Sequence, residues 1–322
     1  MFRLIASDVL MGRLEMIDEA IIVIDWGTSN RRAYFITNKG DVLEQRRDNI
    51  GILYVEDGLF GEVFTNLIGD WLERFIGIPV LMAGMIGSRQ GWVEANYVLC
   101  PASLIDLAFN VISVPGQKNT WIVPGICLDP NGERRDVMRG EEVQVFGSLS
   151  LAGLNTSLLC LPGTHSKWVK VRNDQLLDFT TAMTGEVFDL MRDRSILGSL
   201  ITKNSSHSTL AFEKGLNLAL QPGGLLSHMF SLRADGLFGR TLDNEQESFL
   251  SGLLIGHEIN AMIDNGYSDI NDIVLVGTKL LTQVYSEAFR QRGIPFRVVD
   301  GEEAAIRGLS AIWNLFREEV HG

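Results

Sequence analysis

Ile24-Asp25-Trp26-Gly27-Thr28-Ser29-Asn30-Arg31 decides how this chain is read, because the same arrangement returns at Leu161-Pro162-Gly163-Thr164-His165-Ser166-Lys167. Each is a Gly-Thr turn that follows an apolar strand and precedes a second, alternating strand. With Gly27 superposed on Gly163, Asn38 falls over Asp174, so the match extends to the far turn of each hairpin. Two such hairpins, one per half, predict two related domains facing each other. Backbone N–H groups of a Gly-Thr turn point outward with hydroxyls beside them, which suits phosphate oxygens. Two opposed turns would grip a nucleotide triphosphate from both sides.

The 322 residues are 46% hydrophobic and 21% charged, enough apolar material for two cores. The net charge of −12 argues against nucleic acid or an anionic membrane as partner, since both select basic surfaces. An anionic ligand would therefore need a local cluster of positive charge. Cys100, Cys127 and Cys160 are odd in number and lack CxxC spacing, so neither a disulfide framework nor a zinc site is expected. Residues 1–17 carry Arg3, Asp8, Arg13 and Glu15, without the uninterrupted apolar run of a signal peptide, and read as an extension ahead of the first domain. No window approaches 18 uncharged apolar residues. A cytoplasmic protein is expected; composition leaves a homodimer open.

The periodicities predict strands at 21–25, 31–37 and 41–47, with Asn38-Lys39-Gly40 as the second turn, a helix over 60–76, and strands at 79–83 and 121–128. A helix over 138–151 leads into the second half. There the pattern recurs with strands at 157–161, 167–172 and 175–180. Helices follow at 185–198, 209–219 and 246–264, then a strand at 273–276, a helix to 292, a strand at 296–299 and a last helix from 302. Gly252 and Gly256, four apart, permit close approach of another backbone. The weakest pattern lies in 84–120, and loops of that length usually serve or cover a site. The chain reads as α/β with mixed sheets, with one domain over 18–150 and a second over 151–322 whose last helix is free to return to the first.

Asp25 ends a buried strand just before a glycine turn, where a carboxylate can hold Mg²⁺ through water while Gly27, Thr28, Ser29 and Asn30 approach the phosphates. An Asp capping an ordinary turn has the same sequence. Gly163, Thr164, His165 and Lys167 would form the opposing turn, with Lys167 carrying charge to phosphate or substrate; a lone histidine such as His165 is equally a turn or core residue. Gly277-Thr278 closes a strand and opens a helix, where a small turn can pass beneath an adenosine. Glu141 and Glu142 start a helix, where the dipole favours the anion by about 0.3–1 kcal/mol. Adjacent helical residues point about 100° apart, so only one can face a substrate hydroxyl. With the loose transition state of phosphoryl transfer, a carboxylate accepting the proton late contributes about 10²–10⁴ in rate. A solvated helix start is the plain alternative. Arg139 and Arg89 offer fork geometry for a carboxylate, unless they are surface arginines. Thr184-Gly185-Glu186 either lines the cleft or caps a helix.

The ordered set of Asp-x-Gly-Thr turn, acidic helix start, second Gly-Thr turn and late Gly-Thr resembles the sugar kinase, Hsp70 and actin superfamily. Within it the chain resembles the 2-dehydro-3-deoxygalactonokinase family, also called 2-keto-3-deoxy-galactonate kinases. The resemblance rests on Ile24-Asp25-Trp26-Gly27, Ala83-Gly84-Met85-Ile86-Gly87-Ser88 with Gly91-Trp92, and Val137-Met138-Arg139-Gly140-Glu141-Glu142. It continues in Pro162-Gly163-Thr164-His165 with Lys167-Trp168, Met183-Thr184-Gly185-Glu186, and Phe249-Leu250-Ser251-Gly252-Leu253-Leu254-Ile255-Gly256. It runs from about 20 to 315. It implies two RNase H-like (actin-like ATPase) domains, mixed sheets flanked by helices, and an interdomain cleft. It also implies ATP and Mg²⁺ as cofactors and phosphorylation of the 6-hydroxyl of 2-dehydro-3-deoxy-D-galactonate in galactonate catabolism. The implied sugar-acid site takes in Gly84, Ser88, Arg89, Trp92, Arg139 and Glu186. Related sugar kinases usually place an Asp at the helix start as base; here Glu141 would fill that role, with Glu142 the alternative.

The rival of another class is a nucleotide-switched binding or filament protein of the same superfamily, for which 322 residues leave little room. No GxGxxG follows a strand and no GxSxG is present, against a dinucleotide oxidoreductase and an α/β-hydrolase.

Overall fold

The structure, a computed structural model, describes residues 20–321 apart from 204 and 268–271, so the reading of 1–17 as an extension lies outside the described residues. In chain order the elements are β1 (Ala20–Trp26), β2 (Arg31–Thr37), β3 (Val42–Asp48), α1 (Phe60–Arg74), β4 (Val80–Ala83), β5 (Tyr97–Leu99), β6 (Ala102–Ser103), α2 (Leu104–Phe109), β7 (Ile112–Ser113), β8 (Thr120–Ile122), β9 (Gly125–Cys127), β10 (Val137–Met138) and α3 (Glu141–Ala152). They continue as β11 (Ser157–Leu161), β12 (Ser166–Arg172), β13 (Gln175–Ala182), α4 (Thr184–Arg194), α5 (Thr209–Leu218), α6 (Gly224–Leu237), α7 (Gln246–Asp264), β14 (Ile273–Gly277), α8 (Lys279–Gln291), β15 (Phe296–Asp300) and α9 (Gly301–His321).

The chain divides into two compact units. Of the described residues, the first comprises those up to Asn155, with Arg172–Asp178 and those from Gly301 on; the second comprises those in Thr156–Val171 and Phe179–Asp300. Both units carry the same strand order. In the first, β3-β2-β1 form an antiparallel meander and β4 and β8 follow parallel to β1. In the second, β13-β12-β11 are followed by β14 and β15, parallel to β11. The central strands β1, β4 and β11 are buried on both faces, which is why they read as unbroken apolar runs. The edge strand β3 has no fully buried residue and carries Glu44, Arg46, Arg47 and Asp48, and charges on an edge discourage pairing with another chain. Helix α1 turns Phe64, Leu67, Ile68 and Trp71 onto the first sheet, with Val63, Leu72 and Phe75 partly buried beside them.

Glycines join the main helix pair of each unit. A Cβ at Gly147 of α3 would overlap the Ala304 carbonyl of α9, and one at Gly308 of α9 would overlap the Val143 carbonyl of α3. In the second unit a Cβ at Gly215 of α5 would overlap the Phe249 carbonyl of α7, and one at Gly252 of α7 would overlap that of Phe212. The spacing of Gly252 and Gly256 is thus the seat of α5.

Several elements differ from the expected ones. The run at 121–128 is two strands in different sheets, parted at Val123-Pro124, because Pro124 has no N–H to continue the ladder. The helix expected from 138 begins at Glu141, since Val137 and Met138 pair with β9. The stretch 84–120 holds β5, β6, α2 and β7, with α2 started by a Ser103/Asp106 capping box. The helix expected over 185–198 ends at Arg194. Helix α6 was not foreseen because its apolar residues spread over so wide an arc that no clear 3.6-residue stripe is left.

Replacing Gly147 or Gly308 by Ala is expected to destabilise the protein by roughly 3 kcal/mol, because the added methyl meets backbone that cannot rotate away. Thermal or denaturant unfolding of each variant measures this; an unchanged midpoint would mean that α3 and α9 can separate without cost.

Candidate active site

The first turn is held from beneath. Gly27 N–H donates to the Asn30 carbonyl (2.9 Å), and Thr28, Ser29 and Asn30 lie exposed. The amides of Gly51, Ile52 and Leu53 donate to the carbonyls of Ser29 (3.0 Å), Gly27 (3.0 Å) and Thr28 (3.2 Å), so the turn's acceptors are tied inward. Gly51 is required there: a Cβ on it would overlap the Thr28 carbonyl. The backing segment is anchored by Trp26 Nε1–H on the Ile50 carbonyl (3.1 Å) and by buried Arg31, which grips Asp48 (2.9 and 2.8 Å) and the Val63 carbonyl (2.8 Å). Burial alone would raise the Asp48 carboxyl; the Arg31 hydrogen bonds, the Ile50 N–H and the Arg31 charge together outweigh it and hold it below the usual range. Gly51 escaped the sequence reading because nothing local marks which backbone will lie under the turn.

Asp25 sits across the parallel β1/β4 pair from Ala83, and the chain then turns at Gly84 with φ of +93°. A Cβ at Gly84 would stand 2.8 Å from the Trp26 carbonyl and 3.3 Å from Asp25 Oδ1. Gly140, with φ of +107°, rests on it: its own Cβ would lie 3.2 Å from Gly84 Cα. Only glycine fits either position, and their contact brings the start of α3 to the Asp25 end of β1. Burial raises the Asp25 carboxyl; Arg32, 3.6 Å away, opposes this, and the charges of Glu141 and Glu302 add to it. Glu302, at the start of α9, also pairs with Arg47 (3.2 Å) and was not foreseen, because its place depends on the last helix returning to this unit.

The two glutamates part as helix geometry requires. Glu142 is fully buried, both its oxygens accept the Gly140 N–H (2.9 and 2.7 Å), and burial together with the Glu141 charge pushes its carboxyl up to about 8. Glu141 remains partly exposed, with Oε2 accepting the Arg139 N–H (3.0 Å). Among the described residues no three His, Cys, Asp or Glu side chains form a metal cage. Mg²⁺ needs none, since it keeps several waters and takes one or two carboxylates beside substrate phosphates. The oxygen donor of Asp25, partly exposed and crowded by two further acids, fits such an ion.

Arg139 and Arg89 have opposite settings. Arg89 is 87% exposed and pairs with Glu94 at 3.4 Å. Arg139 is 8% exposed; its Nη2 donates to the Ala95 carbonyl (2.7 Å) and its guanidinium lies 4.3 Å from the Tyr97 ring centre. Among the described residues Nε and Nη1 of Arg139 have no hydrogen-bond partner, nor does the buried Ser88 hydroxyl. Gly87 makes room for this guanidinium, for a Cβ there would lie 3.0 Å from Nη1. Trp92 packs on Phe64 (5.3 Å between centres) at the edge of the core.

In the second unit the Gly163 turn is backed in the same way. A Cβ at Gly185 would overlap the Gly163 carbonyl, Glu186 N–H donates to the Thr164 carbonyl (2.9 Å), and the Glu186 carboxylate meets His165. Lys167 is buried, its ammonium donating to Thr181 Oγ1 (2.7 Å). Beneath lies Glu258, which accepts from Trp168 Nε1 (2.7 Å), Tyr285 OH (2.8 Å) and Thr184 Oγ1, the residue that opens α4. Beside Gly163 and Gly185 opens a pocket of about 420 Å³ walled by Phe188, Leu254, Ile255, Leu280, Leu281 and Val284. Gly277 and Thr278 are not in its wall; they end β14 and cap α8, whose first turns supply Leu280 and Leu281. The sequence reading pointed to the start of this helix and missed the pocket, which three helices form together.

No helix among the described residues is long and apolar enough to cross a membrane. Residues 25–312 match the family model described as 2-keto-3-deoxy-galactonokinase. The 2-dehydro-3-deoxygalactonokinase of Escherichia coli (strain K12) is 38% identical over 293 residues, covering 90% of this chain and 96% of that protein. A Sinorhizobium meliloti crystal structure described under the same activity superposes with a TM-score of 0.85 at 33% identity, over 91% of this chain and 97% of the other. The activator of 2-hydroxyisocaproyl-CoA dehydratase from Clostridium difficile shares the fold alone, with a TM-score of 0.50 at 14% identity over 94% of this chain and 98% of the other. The paired sheets of one strand order, the backed glycine turns and the acidic start of α3 thus occur in a chain that belongs to the 2-keto-3-deoxy-galactonokinase family.

Proposed function

We infer that this chain is an ATP-dependent kinase of 2-dehydro-3-deoxygalactonate, acting in galactonate catabolism, and propose the 6-hydroxyl as the acceptor. Family membership supports the substrate. The observation that carries the assignment of residues is Arg139: a buried guanidinium with two nitrogens lacking partners is costly unless an anion reaches it. A 2-keto acid brings a planar carboxylate that the guanidinium fork can take in two parallel hydrogen bonds, with the Ser88 hydroxyl beside it.

On this reading the exposed Thr28, Ser29 and Asn30 and the backed turn at Gly163-Thr164-His165 serve the triphosphate, and the pocket beside Gly163 takes the adenosine. Asp25 would hold Mg²⁺ through water; when bound, the ion offsets the charge on the phosphate oxygens. Glu141 accepts the proton of the attacking hydroxyl. Glu142 cannot do so in the resting unit, because its oxygens are turned onto Gly140 N–H and its carboxyl keeps a proton to about 8. It positions the start of α3 instead. Glu186 braces the second turn through Thr164 and His165, and Lys167 does the same from inside through Thr181.

The substrate reading is tested by phosphate transfer from ATP to 2-dehydro-3-deoxygalactonate against its gluconate epimer and simple hexoses; equal rates on both keto acids, or none on either, would remove it. Arg139→Lys is expected to lower kcat/KM for the keto acid by roughly 10–100-fold, the loss of one charged hydrogen bond, with the KM for ATP little changed. Arg89→Ala should alter neither, and the reverse outcome would move the carboxylate site to Arg89.

Glu141→Gln should keep nucleotide binding and lose about 10²–10⁴ in kcat. For Glu142 the sign follows from its raised carboxyl: the folded state holds a proton that the unfolded state releases. Its contribution to stability is complete below the ordinary 4.5 and is lost as pH rises to about 8. Denaturation of the wild type across that window should show a decline of up to about 1.4 kcal/mol per pH unit from this group. Glu142→Gln, which cannot ionise, should flatten it. A variant as steep as the wild type would place the titration elsewhere.

A further inference from the structure

Helix α6 is apolar over two adjoining sides. One side, with Leu232 buried and Leu225 and Met229 partly so, packs into the core formed with α7. The other carries Leu226, Phe230 and Leu237, which share one helical face by their spacing of four and seven, and Phe238 follows at the C-cap. These side chains are 80%, 65%, 63% and 79% exposed. An apolar surface this wide is more than one packing contact covers, and its second side stands open to solvent.

The size and charge of this second side indicate what covers it. With about 150–250 Å² per aromatic side chain and slightly less per leucine, the four residues offer on the order of 500 Å² of apolar surface. A stable interface takes about 800 Å² per partner, of which about 65% is apolar in homodimers, so one such face matches one side of a dimer. Between Leu216 and Phe238 only Arg233 and Asp235 are charged, and they cancel, in a chain whose net charge is −12. Two copies that repel elsewhere meet no net charge here. Arg233, the one charge on the stripe, is turned aside onto Ser199 Oγ (2.8 Å) and the Ile196 carbonyl (3.3 Å).

We propose that the Leu226/Phe230/Leu237/Phe238 face of α6 is a homodimer interface, in which the same face of a second copy packs on it about a two-fold axis. None of these four side chains lines the pocket beside Gly163 or belongs to the catalytic groups, so dimerisation and turnover are separable.

Sedimentation equilibrium of the full chain from about 1 to 100 μM, with Phe230→Asp, Leu226→Asp and the exposed Ile76→Asp as variants, tests this. The expected result is a mass near twice 35.7 kDa for the wild type and Ile76→Asp. Either α6 variant should self-associate roughly 100-fold more weakly or worse, because each buries a carboxylate against apolar surface. Their kcat at saturating substrates should equal that of the wild type, and circular dichroism checks that they fold. A wild type that stays monomeric throughout the range overturns the proposal, as does a dimer that folded Phe230→Asp and Leu226→Asp leave intact. If one variant fails to fold, the other and the wild-type dilution series still decide.

Discussion

At three points of the candidate site, two stretches of backbone touch with no room for a side chain between them. Gly51 lies against Thr28, Gly185 against Gly163, and Gly140 against Gly84. Each contact fixes a group that would otherwise sample many orientations. The carbonyls of the first turn are consumed from below, and the acidic start of α3 reaches the end of β1 only because Gly84 and Gly140 have no Cβ. Charge stabilisation by such groups is worth most when they need not reorganise during the reaction, and backbone held by backbone reorganises least.

The electrostatics follow from that frame. On the proposed reading, an acidic chain would meet anionic ligands without a basic surface, through turn amides, hydroxyls and one guanidinium placed inside. Arg139 is held by the Ala95 carbonyl and the Tyr97 ring, neither of which neutralises it. The two adjacent glutamates show how unequal neighbouring positions become. A rotation of about 100° carries Glu142 into the protein, where it keeps a proton, and leaves Glu141 at the rim. The crowding of Asp25 by Glu141 and Glu302 makes that corner hospitable to a cation.

The units share more than a strand order. Each backs its turn with a glycine from the following segment, and each crosses two helices through paired glycines, α3 with α9 and α5 with α7. Helix α6 has no counterpart in the first unit, and it carries the largest run of exposed apolar side chains among the described helices.

The sequence by itself determined the main strands of the two large sheets, because strand runs, hairpin turns and the spacing of α1 are local properties, and because the repeat of the Gly-Thr turn announced two related folds. It also marked both turns, the Glu141-Glu142 pair and the two candidate arginines, since each is a short motif with its own chemistry. Only the tertiary structure separated members of a pair: Arg139 from Arg89 and Glu142 from Glu141 differ in burial, which one residue's neighbours in sequence do not reveal. It alone disclosed Gly51, Glu302 and Glu258, which act through partners 23 to 277 positions away, and the pocket walled by α4, α7 and α8. Local patterns report which conformation a segment prefers; which backbone comes to rest against which is set by long-range packing, and this site is made of such contacts.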